Sequence, residues 1–420
     1  MKEMNGEERF ISALRCEEVD RMPSCWFSIE RSGLFFKEFK EYKKKHLIKY
    51  LKESRRNFVL GLLYSRNWLS RGTSGYLPIP AWNPECEFPT VYYNPETDNF
   101  YSKEEAKTLP KSKKRYRITY RGSVMSSGHQ LGEKGERLHK YDWYYKPFFS
   151  GPDALEKFEA FYNEFDCALW EQEFNPKSNL IKLAKTVLAY NKRKGKPYAL
   201  TGNVTNHFEA IFGGFGPSTI AKLSRKKPNV LRDICKKYEK VCILMEKAAL
   251  EAGFKIIDTG DDLGQKGRGL ISPKMYEEFF YPALKSRCDL AHKHGAIIWM
   301  HSCGFIEEFL DLLMKARLDG LQSLEVPAGN DLARIRAKVR DKLCLIGGID
   351  SSRVMTFGTP DEMEAHVKSQ IIAATTLDGE TMEGGYIPGP AHDLLDTPLV
   401  NVERTVHAIA KYGKYPLNWK

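Results

Sequence analysis

The sequence predicts an α/β protein, a (β/α)8 TIM barrel with an inserted loop and hairpin region in its N-terminal half. Three observations predict it. Short, near-continuous apolar runs alternate with longer amphipathic segments through the second half of the chain, the pattern of parallel strands covered on both faces. The helical segments carry start and stop signals, as in "SPKMYEEFFYPALKSRCDLAHKHG" (272–295), where Ser272 is an N-cap, Pro273 takes the first helical position and Gly295 terminates. Polar residues gather where the apolar runs end, the rim on which barrels of this kind place their chemistry.

In chain order, "RMPSCWFS" (21–28) is the first strand candidate. Residues 60–150 then break the rhythm: the stretch 72–122 is rich in Pro, Tyr, Asn and Gly and reads as hairpins and loops, a lid over one face, with "KKRYRITYRGSVMSS" (113–127) as a hairpin arm. An oligonucleotide-binding module reads similarly, but the region lacks the expected compact set of strands. The alternation resumes with helix 179–195, strand "YALTGNV" (198–204), a flexible loop "FGGFGP" (212–217) able to close over a substrate, and helix 230–253. Strands follow at 254–260, 296–301, 319–325, 342–350 and 383–389, separated or followed by helices at 272–295, 306–317, 331–340, 360–376 and 398–413. About seven to eight strands is the count of a closed barrel. A doubly wound sheet is the alternative, but no G-x-G-x-x-G follows any strand. The expectation is one domain over 1–420, with its insertion at about 60–150.

Composition narrows the class. Hydrophobic residues at 42% and charged residues at 28% are the proportions of a soluble globular protein. No stretch approaches the roughly 18 uninterrupted apolar residues of a membrane helix, and the opening "MKEMNGEERF" has no signal-peptide core. Nine cysteines without a CxxC pair read as reduced thiols in a cytoplasmic protein. The net charge of +11 is concentrated in runs at 37–56, 111–121 and 222–237. A solvated lysine-rich surface accounts for it; an acidic protein partner or anionic cofactor comes next, and nucleic acid ranks last for want of a recognised motif.

The strand ends carry the candidate site: Asn203; Asp258, Asp261 and Asp262; His301 and Cys303; Gln322 and Glu325; Asp350; His392 and Asp393. In "MHSCG" (300–304) the period of two points His301 and Cys303 to one face. Imidazole and thiolate together suit Zn²⁺, with a third donor needed from another strand end: His392 first, then Glu325 and Asp350. On spacing alone a packed histidine beside a buried thiol weighs more. Asp261 and Asp262 read equally as caps for the helix entered at Ser272 and as a general base or hydrogen-bond acceptor for a ligand. Asp350 in "GGID" reads as a turn residue whose glycines also permit close approach of a ligand.

Taken in order, the motifs resemble the uroporphyrinogen decarboxylase superfamily, and more closely its cobalamin-dependent methyltransferase branch. The resemblance lies in "ERFISALRCEEVDRMP" (8–23), "DDLGQKGRGLISPKMYEEFFYPALK" (261–285), "HSCG", "LIGGID", "GTPDEM" (358–363) and "GGYIPGPAHDLLDTPLVNVE" (384–403). It is weak between 40 and 190 and specific from 254 to 413. It implies the same barrel. It also implies zinc on an H-x-C pair and a later cysteine; His301 and Cys303 match the pair, and His392 stands near the cysteine's position. Porphyrinogen decarboxylases carry an arginine-rich segment after the first strand, of which "SIERSGLFF" (28–36) keeps only Arg31 and Gly33.

The resemblance therefore implies methyl transfer between a small methylated ether, amine or thiol and a corrinoid on a separate protein, since the chain has no D-x-H-x-x-G cobalamin motif. Asp261 or Asp262 would move a proton. Trp299 and Tyr386 would form apolar walls, with Asn203, Glu325 and Asp350 also in contact with substrate. The basic surface would dock the corrinoid protein, and a homodimer is left open. The alternative is a metal-free decarboxylase of a small carboxylated or tetrapyrrole substrate, held by groups such as Arg31 and Arg268. A non-catalytic barrel with a basic binding arm ranks third.

Overall fold

The computed structural model describes residues 3–26, 92–94, 99–101, 115–118, 122–131, 137–164, 199–204, 206–394 and 397–417, with scattered positions between 181 and 192. The basic run 37–56, most of the run 111–121, Arg31, residues 60–91 of the insertion and most of the helix expected over 179–195 lie outside the described residues.

Helix α1 (Gly6–Leu14) opens with a capping box, in which Asn5 and Glu8 each accept the other's backbone N–H. Its buried Leu14 stands where a Cβ on Gly320 would fall, which sets α1 against the amino end of the sheet. The strand expected over 21–28 is reduced, in its described part, to isolated pairings. Arg21 bridges Lys414, and the Cys25 N–H donates to the Pro388 carbonyl at 3.0 Å. Pro23 has no N–H to give a ladder.

The insertion holds strands β1 (Tyr92–Asn94), β2 (Asn99–Tyr101), β3 (Arg115–Ile118), β4 (Ser123–Leu131) and β5 (Arg137–Pro147) in one antiparallel sheet, ordered β2-β1-β3-β4-β5. The hairpin arm expected over 113–127 is β3 and β4. A compact set of strands was not expected here; five lie among the described residues, from three residues (β1, β2) to eleven (β5) in length. Helix α2 (Ala154–Glu164) follows, and Phe149, Phe158 and Phe215 pack edge-to-face and tilted with ring centroids 5.0–5.3 Å apart, joining insertion to barrel.

The glycine-rich "FGGFGP" is not a loop. It lies inside helix α3 (Phe208–Lys226), kinked at Gly216 (φ 73) ahead of Pro217. A Cβ on Gly213 would come within 2.5 Å of Ser123 Oγ, and one on Gly216 within 2.9 Å of Pro147. These glycines let the inserted sheet press against the helix.

The main sheet is all parallel. Strands β6 (Thr201–Asn203), β7 (Ile256–Gly260), β10 (Ile297–Ser302), β11 (Gly320–Ser323), β12 (Cys344–Ile349) and β15 (Tyr386–Pro390) neighbour one another in chain order. The short pairs β8 (Gly264–Gln265) with β9 (Arg268–Gly269) and β13 (Thr376–Leu377) with β14 (Glu380–Thr381) are hairpins in connections. Helices α4 (Pro228–Ala252), α5 (Pro273–Phe279), α6 (Tyr281–Lys293), α7 (Leu310–Ala316), α8 (Leu332–Val339), α9 (Val354–Phe357), α10 (Pro360–Thr375) and α11 (Leu399–Tyr412) connect the strands or follow the last of them. Sequential parallel strands alternating with helices are the (β/α)8 barrel architecture, six of its strands being among the described residues.

Strands such as "IIWMHS" are buried on both faces, and burying a residue like Ile297 or Ile298 contributes roughly 1.5–3 kcal/mol. Ser272 caps α5 as its sequence indicated, its hydroxyl accepting the Met275 N–H. The helix expected over 272–295 breaks at Phe280, because Pro282 cannot continue an i→i−4 ladder and instead opens α6. The helix expected over 306–317 begins as a single 3-10 turn, Glu307–Phe309. The strand expected over 319–325 stops at Ser323, where Ser323 (φ 106) and Leu324 (φ 54) turn left-handed. Among the described residues no helix is long and apolar enough to cross a membrane, and seven cysteines are free thiols.

Candidate functional site

Strand β10 sets the site. His301 is in register with Gly260 on β7 and with Gln322 on β11, so His301 and Gln322 share the inner face. Two residues earlier Trp299 lies in register with Asp258, itself in register with Asn203. Asn203, Asp258 and Trp299 thus form a layer beneath His301. Asp258 is 2% exposed, and its burial, outweighing a hydrogen bond from Asn203, pushes its carboxyl up to about 8.

Cys303 follows the strand and turns its Sγ to 2.9 Å from His301 Nε2. Its loop is held by carboxylates. The Cys303 N–H donates to Asp262 Oδ1 at 2.9 Å, and the Gly304 N–H to Glu325 Oε2 at 2.7 Å. Buried Asn330 accepts the Ile306 N–H and donates to the carbonyls of Gly304 and Glu325. Gly304 is left-handed (φ 75), and a Cβ there would stand 2.4 Å from the Gly264 backbone, so glycine is required where the two loops cross.

His392 arrives from the loop after β15, its N–H donating to Ser351 Oγ at 3.2 Å. The imidazoles of His301 and His392 lie 6.1 Å apart at 62°. One donor atom from each of His301, Cys303 and His392 lies within 4.8 Å of the other two, and all three side chains are partly exposed. A tetrahedral zinc spaces nitrogen and sulfur donors about 3.3–3.7 Å apart, so the group fits if the 2.9 Å His301–Cys303 contact opens slightly and any spacing near the 4.8 Å bound closes by about 1 Å. Burial first, then the negative charge of Asp262 and Glu325, holds the Cys303 thiol far above its usual range. A divalent cation among these donors reverses that balance.

The other expected residues divide. Asp262 is at the site, with Oδ1 3.6 Å from His301 Nε2. Asp261 turns away: its Oδ1 accepts the N–H groups of His207 and Glu209 at 3.0 and 2.9 Å, capping α3, and burial lifts its carboxyl to about 6 against those bonds. Neither aspartate caps the helix entered at Ser272. Asp350 is engaged with Ser352 and the Arg353 N–H in its own turn, and its neighbour Ser351 accepts the His392 N–H. Tyr386 lies on the wrong face for a site wall. Its register partner is Leu345, one residue off the inward set Gln322–Ile346–Ile387, and its hydroxyl donates to the Gly347 carbonyl at 2.9 Å. In a run buried on both faces, parity cannot be read before the register is known. Gln322, assigned no role from sequence, bonds His301 Nδ1 through its Oε1.

The profile of the uroporphyrinogen decarboxylase family matches residues 171–412. Among solved structures, a methyltransferase from Methanosarcina mazei is 14% identical, covering 98% of this chain and 99% of its own, with a TM-score of 0.56. That likeness shows the fold. A B12-independent methionine synthase from Shewanella sp. W3-18-1 in complex with selenomethionine is 13% identical over 56% of this chain and 65% of its own, with a TM-score of 0.38. D-psicose 3-epimerase with D-tagatose, from Clostridium cellulolyticum H10, is 11% identical over 57% and 85%, with a TM-score of 0.36. These two overlaps are too loose to bear on the argument. No curated protein matches the sequence.

Proposed function

Because this chain belongs to the uroporphyrinogen decarboxylase family, we propose that it is a zinc-dependent methyltransferase working between a small methylated ether, amine or thiol and a corrinoid carried by a separate protein. The observation that carries this reading is the convergence of His301, Cys303 and His392 within 4.8 Å at the carboxyl ends of two strands. Those three would hold the zinc, which supplies Lewis-acid polarisation of the substrate's heteroatom when bound. Two imidazoles and one thiolate carry less negative charge than a set with two thiolates, which favours an oxygen substrate.

The chain's own groups do the rest. Asp262 fixes Cys303 through one oxygen and would take a proton from, or return it to, the substrate's heteroatom. Trp299 and the layer of Asn203 and Asp258 close the floor against water, and Glu325 holds the loop behind Cys303. The basic surface receives the corrinoid protein. The free thiols fit a reducing compartment such as the cytoplasm.

The test is metal analysis of the purified protein followed by methyl transfer to or from free cobalamin. One zinc per chain, and loss of both metal and transfer in His301→Ala, are expected. A metal-free protein that decarboxylates a small acid or tetrapyrrole at full rate after His301→Ala would replace this reading with the decarboxylase one.

A further inference from the structure

Gln322 is 1% exposed and sits between two parts of the proposed metal site. Its Nε2 donates to the Ala391 carbonyl at 3.4 Å, and its Oε1 faces His301 Nδ1. The Ala391 carbonyl can only accept, so it fixes which end of the amide carries the N–H groups. The remaining oxygen can only accept, so His301 Nδ1 must carry a proton. A neutral imidazole protonated at Nδ1 keeps Nε2 unprotonated as an acceptor, and Nε2 is the atom 2.9 Å from Cys303 Sγ. One amide therefore relays a backbone carbonyl's polarity into the tautomer of a ring, and ties that ring to the residue next to His392.

The backbone around Gln322 is shaped for this. Ser323 (φ 106) and Leu324 (φ 54) directly after it are both left-handed, a conformation that non-glycine residues keep only where surrounding structure enforces it. Left-handed Gly347 on the next strand admits the Ser323 carbonyl, since a Cβ there would stand 2.7 Å from it and 3.6 Å from Gln322 Nε2.

We infer that Gln322 is the positioning residue of this site: it holds His301 in the Nδ1-protonated form with Nε2 directed at the donor cluster, and couples the His301 ring to the segment bearing His392. The inference rests on the zinc reading for its consequence but not for its first step, and the experiment separates the two. The full chain, metal-free, is labelled with ¹⁵N-histidine, and the His301 ring nitrogens are read by NMR in wild type, Gln322→Met and Gln322→Glu. Zinc alone is then titrated against a chromophoric chelator, and cobalt(II) is added for its ligand-field spectrum.

Wild type shows the Nδ1-protonated form. Gln322→Met, similar in shape but without acceptor or donor, gives a tautomer mixture, a zinc Kd weakened roughly 10–100-fold, and an altered cobalt spectrum. Gln322→Glu keeps an acceptor for Nδ1, so it retains the tautomer, but it repels the Ala391 carbonyl and recovers only part of the affinity. A folded Gln322→Met protein with the wild-type tautomer and wild-type zinc Kd overturns the inference. If wild type binds no zinc, the zinc reading falls, and the tautomer comparison alone decides for or against Gln322; should Gln322→Met fail to fold, retention of the tautomer in Gln322→Glu decides it.

Discussion

Asp262 accepts the backbone N–H of Cys303 through Oδ1 at 2.9 Å, and the same oxygen lies 3.6 Å from His301 Nε2, so one carboxylate fixes the thiol's loop and, on the proposed function, would also move a proton. The two duties separate by substitution. Asp262→Asn keeps an acceptor for the Cys303 N–H and should keep its zinc, while kcat falls on the order of 10²–10⁴-fold if the carboxylate moves a proton. Asp262→Ala should lose metal as well. Equal kcat in Asp262→Asn and wild type would remove the proton-transfer role.

On the zinc reading, His392 supplies the third donor beside His301 and Cys303. His392→Ala leaves Cys303 and His301 alone, and zinc stoichiometry after dialysis should fall well below one per chain. His392→Cys restores a thiolate; it should bind zinc at least as tightly but polarise an oxygen substrate less, lowering turnover of an ether more than of a thiol. Unchanged zinc content in His392→Ala would put the third donor elsewhere.

Gly304→Ala tests the loop crossing. The left-handed backbone and the 2.4 Å approach to Gly264 leave a Cβ no room, so denaturant melts should show a loss of roughly 1–3 kcal/mol. Metal affinity should fall too, because Cys303 precedes the displaced residue. A neutral effect on both would show that the loop can relax without disturbing the thiol.

Away from the site, the Arg9 side chain, wholly buried, pairs with Asp20 at 2.5 Å. Burial opposes the Asp20 charge, but the hydrogen bonds and charge of Arg9, with the Met4 N–H, outweigh it and hold the carboxyl below its usual value. A depressed folded pKa means stability that is fully present above the unfolded value of about 3.9 and is lost as pH falls through the folded one. Urea melts should therefore show wild type losing more stability than Asp20→Asn between about pH 5 and about pH 2. At neutral pH Asp20→Asn should cost roughly 2–3 kcal/mol, less than a fully buried pair because Asp20 keeps one edge in water. Parallel pH profiles for the two proteins would show that the pair carries no linked protonation.

The alternation of apolar strands and capped helices is plain in the sequence because each signal is local: Ser272 before Pro273, or the two-residue step from His301 to Cys303. What escaped depends on distant partners. The Gly213 and Gly216 pair reads as loop until Ser123 and Pro147 are seen against it. Tyr386 has no readable face until β15 is registered on β12. Gln322 looks like an ordinary polar strand end, since nothing near it in sequence announces His301, 21 residues away, or Ala391, 69 away. The candidate donors were legible as residue types, whereas their mutual distance required the fold.

On the proposed function, one thiolate and two imidazoles of this chain bind zinc together. X-ray absorption at the zinc edge of the purified full-length protein tests it most directly. One sulfur at about 2.3 Å and two imidazole nitrogens at about 2.0–2.1 Å are expected, with the sulfur shell lost in Cys303→Ser and one imidazole lost in His392→Ala. A zinc shell without sulfur, or one that survives both substitutions unchanged, would contradict it.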